Sequence, residues 1–157
     1  MPNVRARIAM TPREASAFVA AGRTLAFVTI GPDGVPDPTA MWYVADPDGT
    51  LRMHTYARSQ KAENLRRDPR ASALVEAGER YDELRGVQLT GRVELVDDLD
   101  WRTDTALALL TKYQGVDPAR YDELRDSARA LVAKRVGLRL VVERVVSWDH
   151  RKLAGLS

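Results

Sequence analysis

The chain has 157 residues, of which 45% are hydrophobic and 29% are charged, with a net charge of +2. This composition predicts one globular domain that spans residues 1–157, and its balanced charge does not indicate nucleic-acid binding. The chain has no cysteine, no apolar signal-like N-terminus and no apolar run that could span a membrane, so we expect a cytoplasmic protein without a metal or membrane partner.

The first predicted element is a helix that begins after Thr11. Thr11 is a favourable N-cap, Pro12 suits the first helical position, and Glu14 completes a capping box. The helix is expected to run to about Ala21, where Gly22 ends it. The residues before position 10 are predicted to be flexible.

Six segments have the β-branched and aromatic content or the alternation that is typical of strands. They are 24–30, 36–45, 50–56, 71–76, 86–96 and 136–148. The turn sequences GPDG at 31–34 and DPDG at 46–49 join the first three strands and predict an antiparallel meander.

Three further helices are predicted between or after these strands. One is capped by Ser59 and stopped by Asp68-Pro69, one opens at Asp97 and runs to about Tyr113, and one covers 118–135. Six sequential strands with peripheral helices predict a mainly β fold, an antiparallel barrel whose open edges argue for closure or dimer pairing.

The segment HTYARSQKAENLRRDPRAS, from 54 to 72, concentrates basic residues around one short helix. Thr55 ends a strand and faces a helix N-terminus whose backbone N–H groups attract anions. Arg58 and Lys61 are cations near that same positive end of the helix dipole, which is unfavourable unless an anion offsets them. A solvated charged face and a nucleic-acid patch are the alternatives, although no aromatic residues are interleaved as RNA-binding surfaces require.

Two other segments are candidates for ligand contact. Met41, Trp42 and Tyr43 are three consecutive large side chains on one predicted strand. Because neighbouring side chains of a strand point to opposite faces, one face is expected to contact a partner subunit or a flat ligand. The alternative is a strand with core on both faces. The end of the chain, SWDHRKLAG at 147–155, combines an aromatic residue, a histidine and two cations. A solvated tail is the simpler interpretation of that segment.

Together these features resemble the flavin and deazaflavin oxidoreductase split β-barrel superfamily, that of pyridoxamine 5′-phosphate oxidase. The resemblance rests on the strand-end Thr55, on Ser59-Gln60-Lys61, and on NLRRDPRASALV at 64–75. The order of elements and the ending WDHRKL are also similar to the family pattern, and the resemblance covers about residues 10–155.

The resemblance implies a six-stranded antiparallel split β-barrel that forms a homodimer with two cofactor sites at the subunit interface. It implies that Thr55, Ser59 and Lys61 hold the cofactor phosphate, and that a small-molecule substrate binds beside the ring. The full set of cofactor-binding residues that it implies is Met41, Trp42, Tyr43, Thr55, Ser59, Gln60, Lys61, Gln88, Trp148 and Arg151. Gln88, Trp148 and Arg151 are expected to approach the site, from the same or the other subunit.

One departure from the family pattern bears on the choice of cofactor. The chain has no Lys or Arg between Arg23 and Arg52, where pyridoxamine phosphate oxidases carry basic residues on the second strand. The pattern is closer to the branch of the family that uses the deazaflavin coenzyme F420, which is the first choice, with FMN as the alternative. The expected activity is hydride transfer to an unsaturated acceptor, and the alternative is a non-catalytic carrier of the cofactor.

No residue is assigned as the catalytic acid. The candidate proton donors are His54, His150, Tyr56 and Tyr81. A histidine titrates near neutral pH, but His54 is more simply a strand residue with a satisfied imidazole.

Overall fold

The computed structural model describes residues 3–155. The seven strands are β1 (Leu25–Ile30), β2 (Pro36–Met41), β3 (Val44–Ala45), β4 (Leu51–Tyr56), β5 (Arg70–Ala77), β6 (Arg85–Val96) and β7 (Arg135–Asp149). The α-helices are α1 (Val4–Ile8), α2 (Pro12–Ala21), α3 (Gln60–Arg67), α4 (Leu99–Gln114) and α5 (Tyr121–Leu131). Short 3-10 helices occupy Tyr81–Glu83, Pro118–Arg120 and His150–Gly155. None of the helices in residues 3–155 combines the length and apolar character that a membrane span requires.

All strand pairs are antiparallel, and the strands follow the order β2-β1-β5-β6-β7-β4-β3 across one curled sheet. Strands β2 and β3 therefore stand at opposite ends of the sheet, although only two residues separate them in the chain. The chain closes the sheet at this point and leaves a split between β2 and β4. The mainly β, antiparallel split barrel that the sequence predicts is thus confirmed.

The main core lies on the inner face of this sheet. Alternate residues of a strand point to the same face, and on β4 the inward-pointing residues are Leu51, Met53 and Thr55. The residues of β4 between these three are less buried. Helix α2 contributes Ala15 and Val19 to the same core. A second, smaller core joins α4 and α5 through Ala106, Leu107, Ala128 and Val132 on the outside of the barrel.

The helix starts follow the predicted local chemistry closely. The hydroxyl of Thr11 accepts from the backbone N–H of Glu14, and the Glu14 carboxylate accepts from the N–H of Thr11, which is the predicted capping box. Ser59 caps α3 as predicted, but the residue that caps α4 is Asp98 rather than Asp97. Either aspartate suits an N-cap chemically, so the sequence cannot distinguish them.

The structure differs from the sequence prediction in three elements. The predicted strand 36–45 is broken at Trp42 and Tyr43, so the sheet has seven strands rather than six. The predicted helix 118–135 begins as a 3-10 turn and ends at Leu131, because β7 already begins at Arg135. The N-terminal segment that is predicted to be flexible contains the short helix α1, capped by the side chain of Asn3.

Candidate functional site

The N-terminus of α3 lies directly beside the end of β4. The Ser59 hydroxyl accepts a hydrogen bond from the N–H of Ala62 at 3.2 Å, and the Thr55 hydroxyl donates to Ser59 Oγ at 3.2 Å. The backbone N–H groups of Gln60 and Lys61 have no hydrogen-bond acceptor within residues 3–155. Two open N–H groups at the positive end of a helix form a site that attracts anions.

Lys61 adds a full positive charge to this helix end. Its side chain is half-buried and has no carboxylate within 4.0 Å in the described part of the chain. The nearest acidic residue along the helix, Glu63, is already paired with Arg66 at 2.6 Å. A cation in the first turn opposes the helix dipole, so Lys61 is better explained by an anionic ligand than by the helix itself.

Helix α3 bridges the split of the barrel and fixes the position of this helix end. Asn64 is fully buried, and its side-chain N–H groups donate to Thr29 Oγ1 of β1 and to the Asp37 carboxylate of β2, both at 3.0 Å. Arg67 donates to the carbonyl oxygen of Ile30 at 2.6 Å. The helix is therefore tied to β4 at its start and to β1 and β2 at its end.

Asn64 was not singled out by sequence reasoning. It lies between Ala62 and Leu65, the two residues that mark the buried side of the helix. A polar residue on a buried helix face needs hydrogen-bond partners, and that requirement is the signal that could have identified it.

The break in the predicted second strand forms one wall of the split. Val44 pairs with Arg52, and if that register continued, Met41 would lie opposite Thr55. Instead the chain turns at Trp42 and Tyr43, and Met41 pairs with Leu25 of β1. The outer edge of β2 is thus free of any strand partner in the described chain.

In the described chain, the hydroxyl of Thr39 is an unsatisfied polar atom on this wall. It lies on β2 and is buried without a hydrogen-bond partner among residues 3–155. A buried hydroxyl without a partner is unfavourable, but protein atoms already cover this oxygen, so it is not by itself evidence of a ligand.

The three large residues that are predicted to lie beside the cofactor ring have different environments. Met41 is half-buried and packs against the main core, whereas Trp42 is 52% exposed and stacks on Tyr113 with ring centroids 4.3 Å apart. Tyr43 is fully buried, and its hydroxyl donates to the carbonyl oxygen of Val19. The Tyr43 side chain is therefore part of the core, and a cofactor contact of this residue, which stays a prediction, would have to involve its backbone.

The stack of Trp42 on Tyr113 belongs to a cluster that the sequence did not indicate. The Lys112 ammonium lies 3.7 Å from the centroid of the Tyr43 ring and has no hydrogen-bond partner among residues 3–155. Burial, with a smaller contribution from Arg23, lowers the pKa of Lys112 to about 8. Burial and the nearby Tyr113 likewise raise the pKa of Tyr43, so its phenol stays neutral.

Gln60 was also among the predicted cofactor ligands. Its side chain is exposed and donates to the Asn64 amide oxygen at 2.8 Å. That hydrogen bond supports the bridging Asn64, and the group that Gln60 offers to an anion at the helix end is its backbone N–H.

Gln88, Trp148 and Arg151 lie far from Thr55 within one chain. Thr55 pairs with Val136 at the start of β7, and Trp148 lies twelve residues further along the same strand. This separation corresponds to about 35–40 Å along the strand. A single chain therefore holds these two parts of the predicted site at opposite ends of β7.

Gln88 and Trp148 nevertheless lie close to each other. Trp148 lies opposite Gly86, and Gln88 is two residues beyond Gly86 on the same face of β6. The Trp148 ring occupies the space over Gly86, where any side chain would collide with it. Arg151 is engaged by both oxygens of the buried Asp149, at 2.9 and 2.7 Å.

The candidate proton donors have different environments. Burial, and secondly the charge of Arg135, lower the pKa of His54 to about 4. Arg135 donates to His54 Nδ1 at 3.1 Å, and since a guanidinium cannot accept, this nitrogen is unprotonated. His54 is therefore a neutral structural residue near neutral pH. Tyr56 and Tyr81 have exposed side chains, and His150 Nδ1 is 2.7 Å from the Tyr81 carbonyl oxygen.

The chain is similar to several solved structures of known fold. It is 45% identical to the conserved hypothetical protein Rv2991 of Mycobacterium tuberculosis, covering 96% of this chain and 91% of that chain with a TM-score of 0.88. An F420 reductase is 23% identical, with 86% of this chain and 98% of that chain covered and a TM-score of 0.65. A FAD-binding protein of Mesorhizobium loti is 22% identical, with 88% and 94% covered and a TM-score of 0.67. The last two likenesses show the fold alone.

The family assignment rests on a match of the sequence itself. The sequence model of the pyridoxamine 5′-phosphate oxidase family matches residues 11–149, which include all seven strands of the barrel. The matched region also contains Thr55, Ser59 and Lys61 at the N-terminus of α3. The chain therefore belongs to the pyridoxamine 5′-phosphate oxidase family.

Proposed function

We propose that this protein is an oxidoreductase that uses coenzyme F420 and acts on an unsaturated small molecule. The observation that carries the proposal is the anion site at the N-terminus of α3. Its open backbone N–H groups, the Thr55 and Ser59 hydroxyls and the unpaired ammonium of Lys61 are the donors that a phosphate group needs.

These residues fit the phosphodiester of F420 and the phosphate of FMN equally well in charge and donor type. The bound cofactor supplies hydride transfer, which the protein side chains cannot perform themselves. The protein binds the phosphate end at α3 and offers the wall formed by Met41 and Trp42 for orienting the ring. We assign no catalytic acid, so the proton for the acceptor comes from water or a tyrosine hydroxyl.

Strand β2 supports F420 over FMN as the cofactor. The only charged residue of β2 is Asp37, which accepts from Asn64, so the strand lacks the basic residues that the resemblance implies for the FMN-using pyridoxamine phosphate oxidases. The likeness to an F420 reductase agrees with this choice. FMN remains the second candidate, because the helix end recognises the phosphate and not the ring.

A non-catalytic carrier of the same cofactor is the competing function. It is favoured by the lack of any assigned acid or base beside α3, since His54 is neutral and held by Arg135. Turnover separates the two functions. An oxidoreductase should oxidise reduced F420 in the presence of an unsaturated acceptor such as a quinone, whereas a carrier should bind F420 without accelerating this reaction.

Lys61→Ala should weaken F420 binding roughly 10- to 100-fold, because it removes a charge-assisted contact worth about 1.5–3 kcal/mol. The measurement is a fluorescence titration of F420 into both proteins, with FMN titrated in parallel. Arg66→Ala is the matched control, since Arg66 is an exposed cation of the same helix that is paired with Glu63. We expect that control to change the affinity less than threefold.

Three outcomes of this titration have distinct meanings. Equal affinity of wild type and Lys61→Ala would remove the phosphate site from α3. Tighter binding of FMN than of F420 would reverse the order of the two cofactors while keeping the site. A third outcome combines this titration with the turnover assay, because binding of F420 without any turnover would favour the carrier.

We further propose that the active protein is a cytoplasmic homodimer with the two sites at its interface. Gln88, Trp148 and Arg151 all lie near the far end of β7 from Thr55 and do not reach the α3 site of their own chain, so a second subunit would have to bring them there. The outer face near Gln88 also carries Val146, which is 41% exposed and lies opposite it. A cysteine-free chain is consistent with a reducing compartment.

The protein should therefore be a dimer at micromolar concentration by light scattering. Val146→Glu, which places a charge on that outer face, should shift the population toward monomer and weaken F420 binding together with it. Glu143→Gln is the control, because Glu143 is an exposed residue of the same strand whose replacement adds no charge. A wild-type monomer that binds F420 at full affinity would refute the interface site.

A further inference from the structure

A second cavity, separate from α3, lies where the end of α2 meets β5 and β6. Its volume is about 500 Å³, which is within the usual range for a small-molecule site. Its walls are mostly apolar, and its charged lining residues are Arg23, Glu76 and Arg85, which leaves the lining with a net charge of +1.

Arg85 has no partner for its charge. Its guanidinium makes no ion pair within 4.0 Å and no side-chain hydrogen bond in residues 3–155, and its Nε atom is buried without an acceptor. The guanidinium instead lies over the Phe18 ring, 5.3 Å from its centroid. Arginine is almost never fully buried without a partner, and this half-buried guanidinium keeps hydrogen-bond donors that no protein acceptor in the described chain uses.

The residue that would naturally pair with Arg85 is occupied elsewhere. Arg85 lies opposite Asp149 in the β6–β7 ladder, but both carboxylate oxygens of Asp149 accept from Arg151. Those hydrogen bonds hold the pKa of the Asp149 carboxyl below its usual range. Arg85 therefore faces the cavity with an electrostatic attraction to Asp149 but without a direct partner.

The rest of the cavity is suited to an apolar group. Phe18, Leu74 and Val75 line it with aromatic and aliphatic groups, and the Phe18 ring lies beneath the Arg85 guanidinium. Burying an apolar group against such walls stabilises binding by about 25 cal/mol per Å². The cavity thus combines one anchoring cation with an apolar surface.

We propose that this cavity binds a small monocarboxylate with an apolar body, anchored by Arg85 and packed against Phe18. The net charge of the lining favours a single negative charge, because Glu76 would repel a second one. Arg23 lies at the rim and is partly engaged, since it donates to the Lys112 carbonyl oxygen at 2.7 Å. This ligand class is independent of the cofactor that α3 binds.

A larger cavity of about 810 Å³ serves as an internal comparison. It lies between α2, the turn at 46–50 and the inner face of β6 and β7, and its charged lining residues are Asp46 and Asp48. A carboxylate should avoid that cavity because it contains two acids and no basic residue. Binding of an apolar carboxylate should therefore depend on Arg85 and not on the larger cavity.

The test is calorimetric titration of sodium octanoate into the full-length protein. Wild type should show saturable binding at one site per chain, and Arg85→Gln should weaken it at least tenfold. Arg92→Gln is the matched control, because Arg92 is an exposed arginine of the same strand, and it should change the affinity less than twofold. Octanamide, which has the same apolar body without the charge, should bind wild type at least tenfold more weakly than octanoate.

Several results would overturn the proposal. Equal binding of octanoate and octanamide, retention of binding by Arg85→Gln, or the absence of saturable binding each would do so. A shift of Arg85→Gln toward monomer in light scattering, with no octanoate binding by wild type, would assign the cavity to a second copy of the chain. The F420 titration distinguishes failure of this site from failure of the α3 site, because Arg85→Gln should leave F420 affinity unchanged.

Discussion

Replacing Arg102 with alanine should lower the free energy of unfolding by about 3–5 kcal/mol. Arg102 is buried on α4, with only 6% of its surface exposed. Its guanidinium donates to the carbonyl oxygen of Val132 at 2.8 Å and to that of Arg135. It also donates to the carbonyl oxygens of Asp97 and Asp98 at 3.2 and 3.4 Å.

The large effect follows from what these carbonyl groups do. They belong to the chain just before α4, to the turn after α5 and to the first residue of β7, so one side chain connects the start of α4 to the end of α5. Removing it takes this donor away from the carbonyl groups of Asp97 and Arg135, at about 1–3 kcal/mol each where water cannot reach them. The carbonyl groups of Asp98 and Val132 each keep a backbone N–H donor. The gain from no longer burying a charge offsets part of this loss.

Urea denaturation of both proteins measures this effect. Arg129→Ala is the matched control, since Arg129 pairs with Asp100 at 2.5 Å across the same two helices but on the exposed surface. An exposed ion pair contributes about 0–1 kcal/mol, so the control should stay within that range. A loss below about 1 kcal/mol for Arg102→Ala would mean that the carbonyl network contributes little.

Replacing Gly91 with alanine should destabilise the protein by about 3 kcal/mol. Gly91 is buried at the β-bulge where the β6–β7 register shifts. A Cβ at this position would overlap the Val141 carbonyl oxygen and would lie 2.9 Å from its carbonyl carbon. The obstacle is backbone of the neighbouring strand, so no side-chain rotation can relieve it.

Thermal unfolding of Gly91→Ala beside Arg92→Ala tests this expectation. Arg92 is the next residue and its side chain is exposed, so its replacement should alter the midpoint by no more than about 2 °C. For Gly91→Ala we expect a decrease of more than about 6 °C. Equal midpoints for the two variants would mean that β7 can move away from β6 at little cost.

The fold was predictable from the sequence because its signals are local. Thr11, Pro12 and Glu14 are contiguous, and the capping box they form depends only on the first turn of α2. The alternating residues of β4 and the turns at 31–34 and 46–49 similarly act over a few positions. Local signals of this kind predicted each long strand within about two residues.

The proximity of the candidate anion-binding residues was predictable for the same reason. Thr55, Ser59 and Lys61 lie within seven residues, so the end of a strand and the start of a helix bring them together without help from the rest of the chain. Asn64 completes the site by a long-range contact to Thr29 and Asp37. No local pattern identifies the partners of a buried amide.

The residues at the split were not predictable from the sequence. Trp42 and Tyr43 read as strand residues, yet the chain must turn there because β2 pairs with β1 while β3 pairs with β4. This choice sends Tyr43 into the core and Trp42 onto Tyr113. The competition between two strand partners is a property of the whole sheet.

The sequence by itself determined the strands, the helix caps and the cluster of Thr55, Ser59 and Lys61, because hydrogen bonds between near neighbours specify them. Only the tertiary structure decided that Tyr43 is a core residue and that Trp148 lies far along β7 from Thr55. It also decided that Asp149 pairs with Arg151, which leaves Arg85 without a partner in the described chain. These features depend on strand order and on distance through space, and residues far apart in the sequence compete for the same partners. Which of these residues pair with each other is determined only when the strands assemble into the barrel.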